Sequence, residues 1–123
     1  MKVNWYDKDG IPIDAATANE LLGDPEYKRI GLTEVASRDR SAVHHVSTVW
    51  LGLDHGWGTE GLLLFETMVF GEGSWSDQDC RRYATELEAR IGHAETVELV
   101  AATVPDEVIT ELAAWPSSDG DPS

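Results

Sequence analysis

The sequence predicts an α+β domain in which a small antiparallel sheet carries its helices on one face, in two layers. Runs rich in β-branched and aromatic residues fill the middle of the chain, at 46–53 and 62–70. Helix-like segments lie mainly after them and do not alternate with strands as in a doubly wound sheet. A chain of 123 residues suffices for one hydrophobic core, so we expect a single domain over 1–116 and a disordered acidic tail over 117–123.

The first elements are predicted to be short. Apolar residues at 3–6 and 11–13 flank a polar turn, which is typical of a short strand followed by a tight turn. Asp14 is the predicted N-cap of a two-turn helix that ends at Gly23. Alternating side chains at 27–36 then predict a longer strand.

The two central runs predict a β-hairpin, because the segment between them, 54–61, contains three glycines. Trp50 is a predicted core residue. Glu66 lies within the second run and should pair near Val49 if the hairpin turns between 53 and 62. A carboxylate in such a run has to be solvated on an open face or paired, with Arg81, Arg82 or a tryptophan N–H as its partner.

Two helices are predicted after residue 85. Thr85 and Glu88 have the spacing of a capping box. The apolar stripe that follows is expected to face the sheet, with Gly92 marking a close approach to a strand; it comprises Leu87, Ile91, Ala94, Val97 and Val100. Pro105 is expected to begin a second helix that reaches residue 115.

Charge limits the function. Nine Lys and Arg against 23 Asp and Glu give a net charge of −14, which opposes attraction to nucleic acid or anionic membranes. The start of the chain lacks the apolar region of a signal peptide, so we expect a cytoplasmic protein. The single Cys80 excludes an internal disulfide, and we expect no cofactor.

Several motifs resemble a family of small proteins encoded by tailed bacteriophages and prophages. The matching residues are Tyr6-Asp7, Gly10, Pro12, Glu26-Tyr27, the runs 46–55 and 64–71, and 82–86 with Glu88-Ala89 and Gly92-His93. The likeness covers roughly residues 3 to 100. Thr59-Glu60-Gly61 stands where the family would have Gly-Pro-Pro, and the acidic extension after Thr103 departs from its pattern. The resemblance implies a phage accessory protein that acts inside a bacterial cell, and it implies no chemistry.

Four residues have side chains suited to catalysis or metal binding: Asp54, His55, Glu66 and His93. The hairpin register would place Glu66 on the order of 13 Å from His55 along the strand, at about 3.3 Å per residue. That distance favours structural roles, with His93 at the contact between helix and sheet. No tight ligand spacing such as His-x-x-x-His is present.

Two surfaces are candidates for binding a partner. Trp57 and Trp75 lie in polar, glycine-containing loops, where an indole can cover the hairpin or contact a ligand. Acidic residues recur on the two predicted C-terminal helices, where a solvated face is the usual interpretation and a mimic of a phosphate backbone is the functional one. The acidic face comprises Glu86, Glu95, Glu98, Glu107 and Glu111.

Two functional hypotheses follow. The first is a non-enzymatic phage protein that binds and neutralises a host bacterial protein, as in counter-defence, through the acidic face or the tryptophan loops. The second is a small nucleotide-binding protein or metal-assisted hydrolase that uses Asp54, His55, Glu66 and His93. Bound metal or a nucleotide-dependent rise in melting temperature would favour the second.

Overall fold

The computed structural model describes residues 5–53, 63–71 and 80–114. Within them the chain forms an α+β fold with a five-stranded antiparallel sheet, a two-stranded sheet and three helices, which confirms the predicted class. The elements are β1 (Trp5–Tyr6), β2 (Pro12–Ile13), α1 (Ala15–Leu22), α2 (Pro25–Lys28), β3 (Arg29–Ser37), β4 (Val43–Trp50), β5 (Phe65–Gly71), β6 (Arg81–Tyr83), α3 (Glu86–Ala101) and β7 (Glu107–Glu111). The large sheet has the order β6-β5-β4-β3-β7. The predictions for 3–4, 54–62, 72–79 and 115–123, including the tail, lie outside the described residues.

The predicted central hairpin is confirmed. β4 pairs antiparallel with β5, and Val49 lies opposite Glu66 as expected. Trp50 is fully buried, and its indole N–H donates to the Tyr6 carbonyl at 3.0 Å. Because side chains alternate along a strand, Thr48 and Thr67 share one face, whereas Val49 and Glu66 share the other.

The start of α1 is also confirmed, since the Asp14 carboxylate accepts from the Thr17 amide at 2.8 Å. The sequence interpretation missed α2 and placed the next strand too early. Asp24 caps this short helix by accepting from the Glu26 and Tyr27 amides, with Pro25 in its first turn. β3 therefore begins at Arg29.

The capping box of α3 is confirmed, because the Thr85 hydroxyl accepts from the Glu88 amide at 3.1 Å. The predicted sheet-facing stripe is wrong in its first half, since Leu87 and Ile91 are 68% and 52% exposed. Its second half is confirmed, because Val100 is buried and Val97 packs against the core. The buried side of α3 consists of Ala89, Gly92, Thr96, Val100 and Ala101. Gly92 marks the expected close approach, since a Cβ there would overlap the Tyr83 ring of β6.

The predicted second C-terminal helix is wrong as well, because residues 107–111 form β7 at the edge of the sheet beside β3. Val108, Ile109 and Leu112 have helical spacing, but Val108, Ile109 and Thr110 are three consecutive β-branched residues, which favour a strand. The backbone hydrogen bonds to the edge of β3 stabilise the strand over the helix. Glu107 and Glu111 therefore lie on a strand.

The core consists of two apolar clusters along α3. One lies under the end of the helix and includes Val35, Val46, Val69 and Val100. The other surrounds Trp50, Phe65 and Leu64 and is closed by side chains from α1 and α2. Among the described residues, no helix is long and apolar enough to cross a membrane.

Replacing Gly92 tests the contact between α3 and β6. Gly92→Ala would gain about 1 kcal/mol from helix propensity alone. We expect it instead to lower the free energy of unfolding by about 1–3 kcal/mol, because the new methyl group overlaps the Tyr83 ring. Urea denaturation measures the difference.

Gly23→Ala is the matched control, since its Cβ would meet only backbone oxygens at 3.6 Å, an ordinary contact. Equal stability changes in the two variants would show that Gly92 does not contact Tyr83 as described.

Candidate functional site

A chain of hydrogen bonds runs between α3 and the sheet, centred on His93. Its Nε2 lies 2.8 Å from Thr33 Oγ1 on β3, and its Nδ1 lies 2.7 Å from Thr48 Oγ1 on β4. Thr48 Oγ1 also contacts Thr67 Oγ1 on β5. At the other end, Thr33 Oγ1 donates to Glu111 Oε1 on β7 at 3.0 Å. One helix is thereby linked to four adjacent strands.

The hydrogen bonds of this series all donate in the same direction, from Thr67 towards Glu111. The single proton of the Thr33 hydroxyl goes to the Glu111 carboxylate, which only accepts when ionised. His93 Nε2 must therefore donate to Thr33, and in the neutral imidazole Nδ1 is then the acceptor. Thr48 donates to Nδ1, and Thr67 in turn donates to Thr48. The neutral ring thus fits every bond of the chain.

Protonating His93 would disturb this order, because Nδ1–H would face a hydroxyl that already donates to it. Burial lowers the pKa of His93 from its ordinary value, and the negative charge of Glu111 opposes this with a smaller effect. Gly31 provides the space for the ring, since a Cβ at this position would lie only 2.9 Å from Nε2. The geometry supports the structural role predicted for His93 at the contact between helix and sheet.

Glu66 lies on the opposite face of the sheet, next to a cavity of about 670 Å³. Its Oε2 accepts from Arg82 Nε at 3.1 Å, as the sequence analysis expected of a nearby arginine, and from the Cys80 thiol at 3.0 Å. Met68 and Leu63 also line this cavity. Glu66 therefore forms an ion pair with Arg82 and accepts a hydrogen bond from the Cys80 thiol.

The two described members of the set proposed for catalysis, Glu66 and His93, do not converge. Glu66 contacts Arg82 on one face, whereas His93 contacts the threonines on the other. Asp54, His55, Trp57 and Trp75 lie outside the described residues. Within residues 5–53, 63–71 and 80–114 no three His, Cys, Asp or Glu side chains are arranged to hold a metal ion.

The acidic face divides between two elements. Glu86 and Glu95 on α3 form ion pairs with Arg90 and Arg81. Glu98 is exposed on the same helix, and no ion pair to it occurs among the described residues. Glu107 and Glu111 are exposed on β7. The prediction that all five carboxylates lie on helices is therefore wrong for Glu107 and Glu111.

The outer side of α3 is a surface that the sequence analysis missed. Leu87 and Ile91 are one turn apart and solvent-exposed, and Leu99 is 56% exposed further along the helix. Glu98 lies seven residues after Ile91 and so faces the same way. We call Leu87, Ile91, Glu98 and Leu99 the outer α3 surface. Its helical periodicity was visible in the sequence, but periodicity alone does not say which side meets the sheet.

Comparisons of the chain with protein-family models, curated proteins and solved structures find no match.

The hydrogen bonds of His93 predict that the free energy of unfolding depends on pH. The unfolded chain binds a proton at His93 near pH 6.5, whereas the folded chain binds it only at a lower pH. Stability is therefore fully present above about pH 6.5 and decreases as the pH falls towards the folded pKa, by at most about 1.4 kcal/mol per pH unit. Urea denaturation between pH 7.5 and 5, in steps of roughly half a unit, measures this slope.

His93→Gln is the control, because glutamine does not titrate in this range. Carboxylates with lowered pKa values, such as Glu34 beside Arg40, act only at still lower pH. An unchanged slope in His93→Gln would assign the pH dependence to another group.

Proposed function

We propose that this chain is a non-enzymatic accessory protein of bacteriophage type, and that it binds a host bacterial protein through the outer α3 surface. The exposure of Leu87, Ile91 and Leu99 on one helix is the observation that carries this proposal. Exposed apolar side chains at helical spacing, bordered by charge, are typical of surfaces that enter a groove on a partner. Binding would remove them from water.

The charge of the protein suggests the character of the partner. A net charge of −14 accelerates the approach to a basic surface and disfavours direct contact with nucleic acid. Glu98 places a carboxylate beside the apolar residues, while Glu86 and Glu95 are already paired with arginines. A basic host protein with an apolar groove would fit this combination.

The bacterial setting comes from the resemblance to the phage family. The same resemblance supports an action in the cytoplasm of the host cell. Neutralising a defence protein is one purpose that such a binding protein would serve. Trp57 and Trp75, outside the described residues, are the second candidate contact for the same function.

A small-ligand function is the second candidate, and the cavity beside Glu66 favours it. The phosphate of a nucleotide would bind the Arg82 guanidinium, which is the cation in this cavity. In the free protein that guanidinium is paired with the Glu66 carboxylate. Glu66→Gln should therefore strengthen nucleotide binding, seen as a larger rise in melting temperature with added nucleotide. No rise in melting temperature in either protein would remove this candidate.

Removing the apolar part of the outer α3 surface tests the main proposal. The double variant Leu87→Ser/Ile91→Ser should retain its stability, since both side chains are already exposed. We expect it to lose about 10–100-fold in affinity for host proteins captured by the wild-type chain, because the buried apolar area disappears. Surface plasmon resonance with the captured partner measures the loss.

Ile11→Ser is the matched control, since Ile11 is similarly exposed but lies outside α3. Glu98→Lys should mainly slow association at low salt, and Glu20→Lys on α1 controls for the same change in charge. If the double variant captures the same proteins with unchanged affinity, the outer α3 surface is not the contact.

A further inference from the structure

The outer edge of β7 is a second surface, separate from the outer α3 surface. β7 pairs with β3 on one side, and within the described residues no strand pairs with its other side. All five of its residues are exposed, including Val108 at 41% and Ile109 at 48%. A strand edge of this kind presents backbone donors and acceptors to a partner.

The register identifies which backbone groups are available. The Leu112 amide donates to the Leu32 carbonyl, so this pair is hydrogen-bonded, and antiparallel pairs alternate from there. Val108 and Thr110 then bond to β3, whereas the amides and carbonyls of Glu107, Ile109 and Glu111 face outwards. The Ser37 amide agrees with this alternation, since it bonds to Ala42 and not to β7.

The same three residues project their side chains on one face of the sheet, in the order acid, apolar, acid. Glu107, Ile109 and Glu111 lie opposite Ser37, Val35 and Thr33. An added strand would therefore meet a carboxylate at each end and an apolar side chain in the middle. The order acid, apolar, acid is the same whether β7 is followed from Glu107 to Glu111 or from Glu111 to Glu107.

This symmetry disfavours a second copy of β7 as the occupant. Antiparallel pairing centred on Ile109 would place Glu107 opposite Glu111 twice, and parallel in-register pairing would also oppose like charges. The other edge of the sheet, β6, has two arginines, but Arg81 already contacts Glu95 and Arg82 contacts Glu66. The charges of β7 are complementary to a different kind of strand.

We propose that the β7 edge binds a basic, extended segment of another protein by adding it as a sixth strand to the sheet. The segment has the pattern Lys or Arg, any residue, β-branched, any residue, Lys or Arg. Backbone hydrogen bonds to the three outward residues provide the affinity, and the two carboxylates select the basic ends. The side-chain pattern is the same in both strand directions, and the proposal is for antiparallel addition, in which the central residue bonds to the Ile109 backbone.

The test uses a synthetic peptide, acetyl-Ser-Lys-Thr-Val-Thr-Lys-Ser-amide, with the full chain. Hydrogen exchange followed by NMR should slow by about tenfold or more at the amides of Glu107, Ile109 and Glu111 on saturation. The amides of Val108 and Thr110 already bond to β3 and should change by less than about twofold. This alternation distinguishes strand addition from non-specific electrostatic attraction.

Two altered peptides and two variants of the chain are the controls. A peptide with Glu in place of both Lys, and one N-methylated at the central Val, should each bind at least about tenfold more weakly. Glu107→Lys should weaken binding of the basic peptide by about tenfold, whereas Glu20→Lys on α1, with the same change in charge, should alter it by less than about twofold.

Three outcomes would overturn the proposal. The first is binding of the basic peptide without protection of the three outward amides, or no binding at millimolar concentration. The second is equal binding of the acidic peptide. The third is self-association in sedimentation with those amides already protected, which would make a second copy the occupant.

Discussion

The polar chain through His93 is the constraint on which the arrangement of α3 depends. Thr33, Thr48 and Thr67 place hydroxyls in the middle of the sheet, and a buried hydroxyl has to be paired. His93 satisfies two of them at once. This polar centre divides the core into two apolar clusters, one near Val100 and one near Ala89. It also explains why small residues of α3 face the sheet while Leu87 and Ile91 face solvent.

Local signals in the sequence predicted much of the fold. The caps at Asp14 and Thr85 and the hairpin pairing of Val49 with Glu66 depend on residues close in sequence or joined by one turn. β7 was not predictable in this way. Its helical spacing is overridden by pairing with β3, a contact between segments more than seventy residues apart, as Thr33 and Glu111 show.

In the candidate site too, contacts between residues close in sequence could be predicted, whereas contacts between distant segments could not. An arginine partner for Glu66 was predictable because a buried carboxylate requires one and Arg82 lies shortly after it on the chain. The threonine partners of His93 were not, since Thr33, Thr48 and Thr67 come together only through the register of three strands. The exposure of Leu87 depended likewise on knowing that Tyr83 and Gly92 bring α3 close to the sheet.

The strand order also determines which strand pairs can form while the chain is still being synthesised. β3 is an inner strand of the sheet, yet β7, which covers its second edge, follows it only after β4, β5, β6 and α3 have been made. A nascent chain on the ribosome can form the β3–β4 and β4–β5 pairs first, while the β3 edge waits for residues 107–111. During that interval the vulnerable edge belongs to β3, whose Val35 and Leu32 are apolar. We therefore expect the β3 edge to be open to strand addition by other chains until residues 107–111 have left the ribosome.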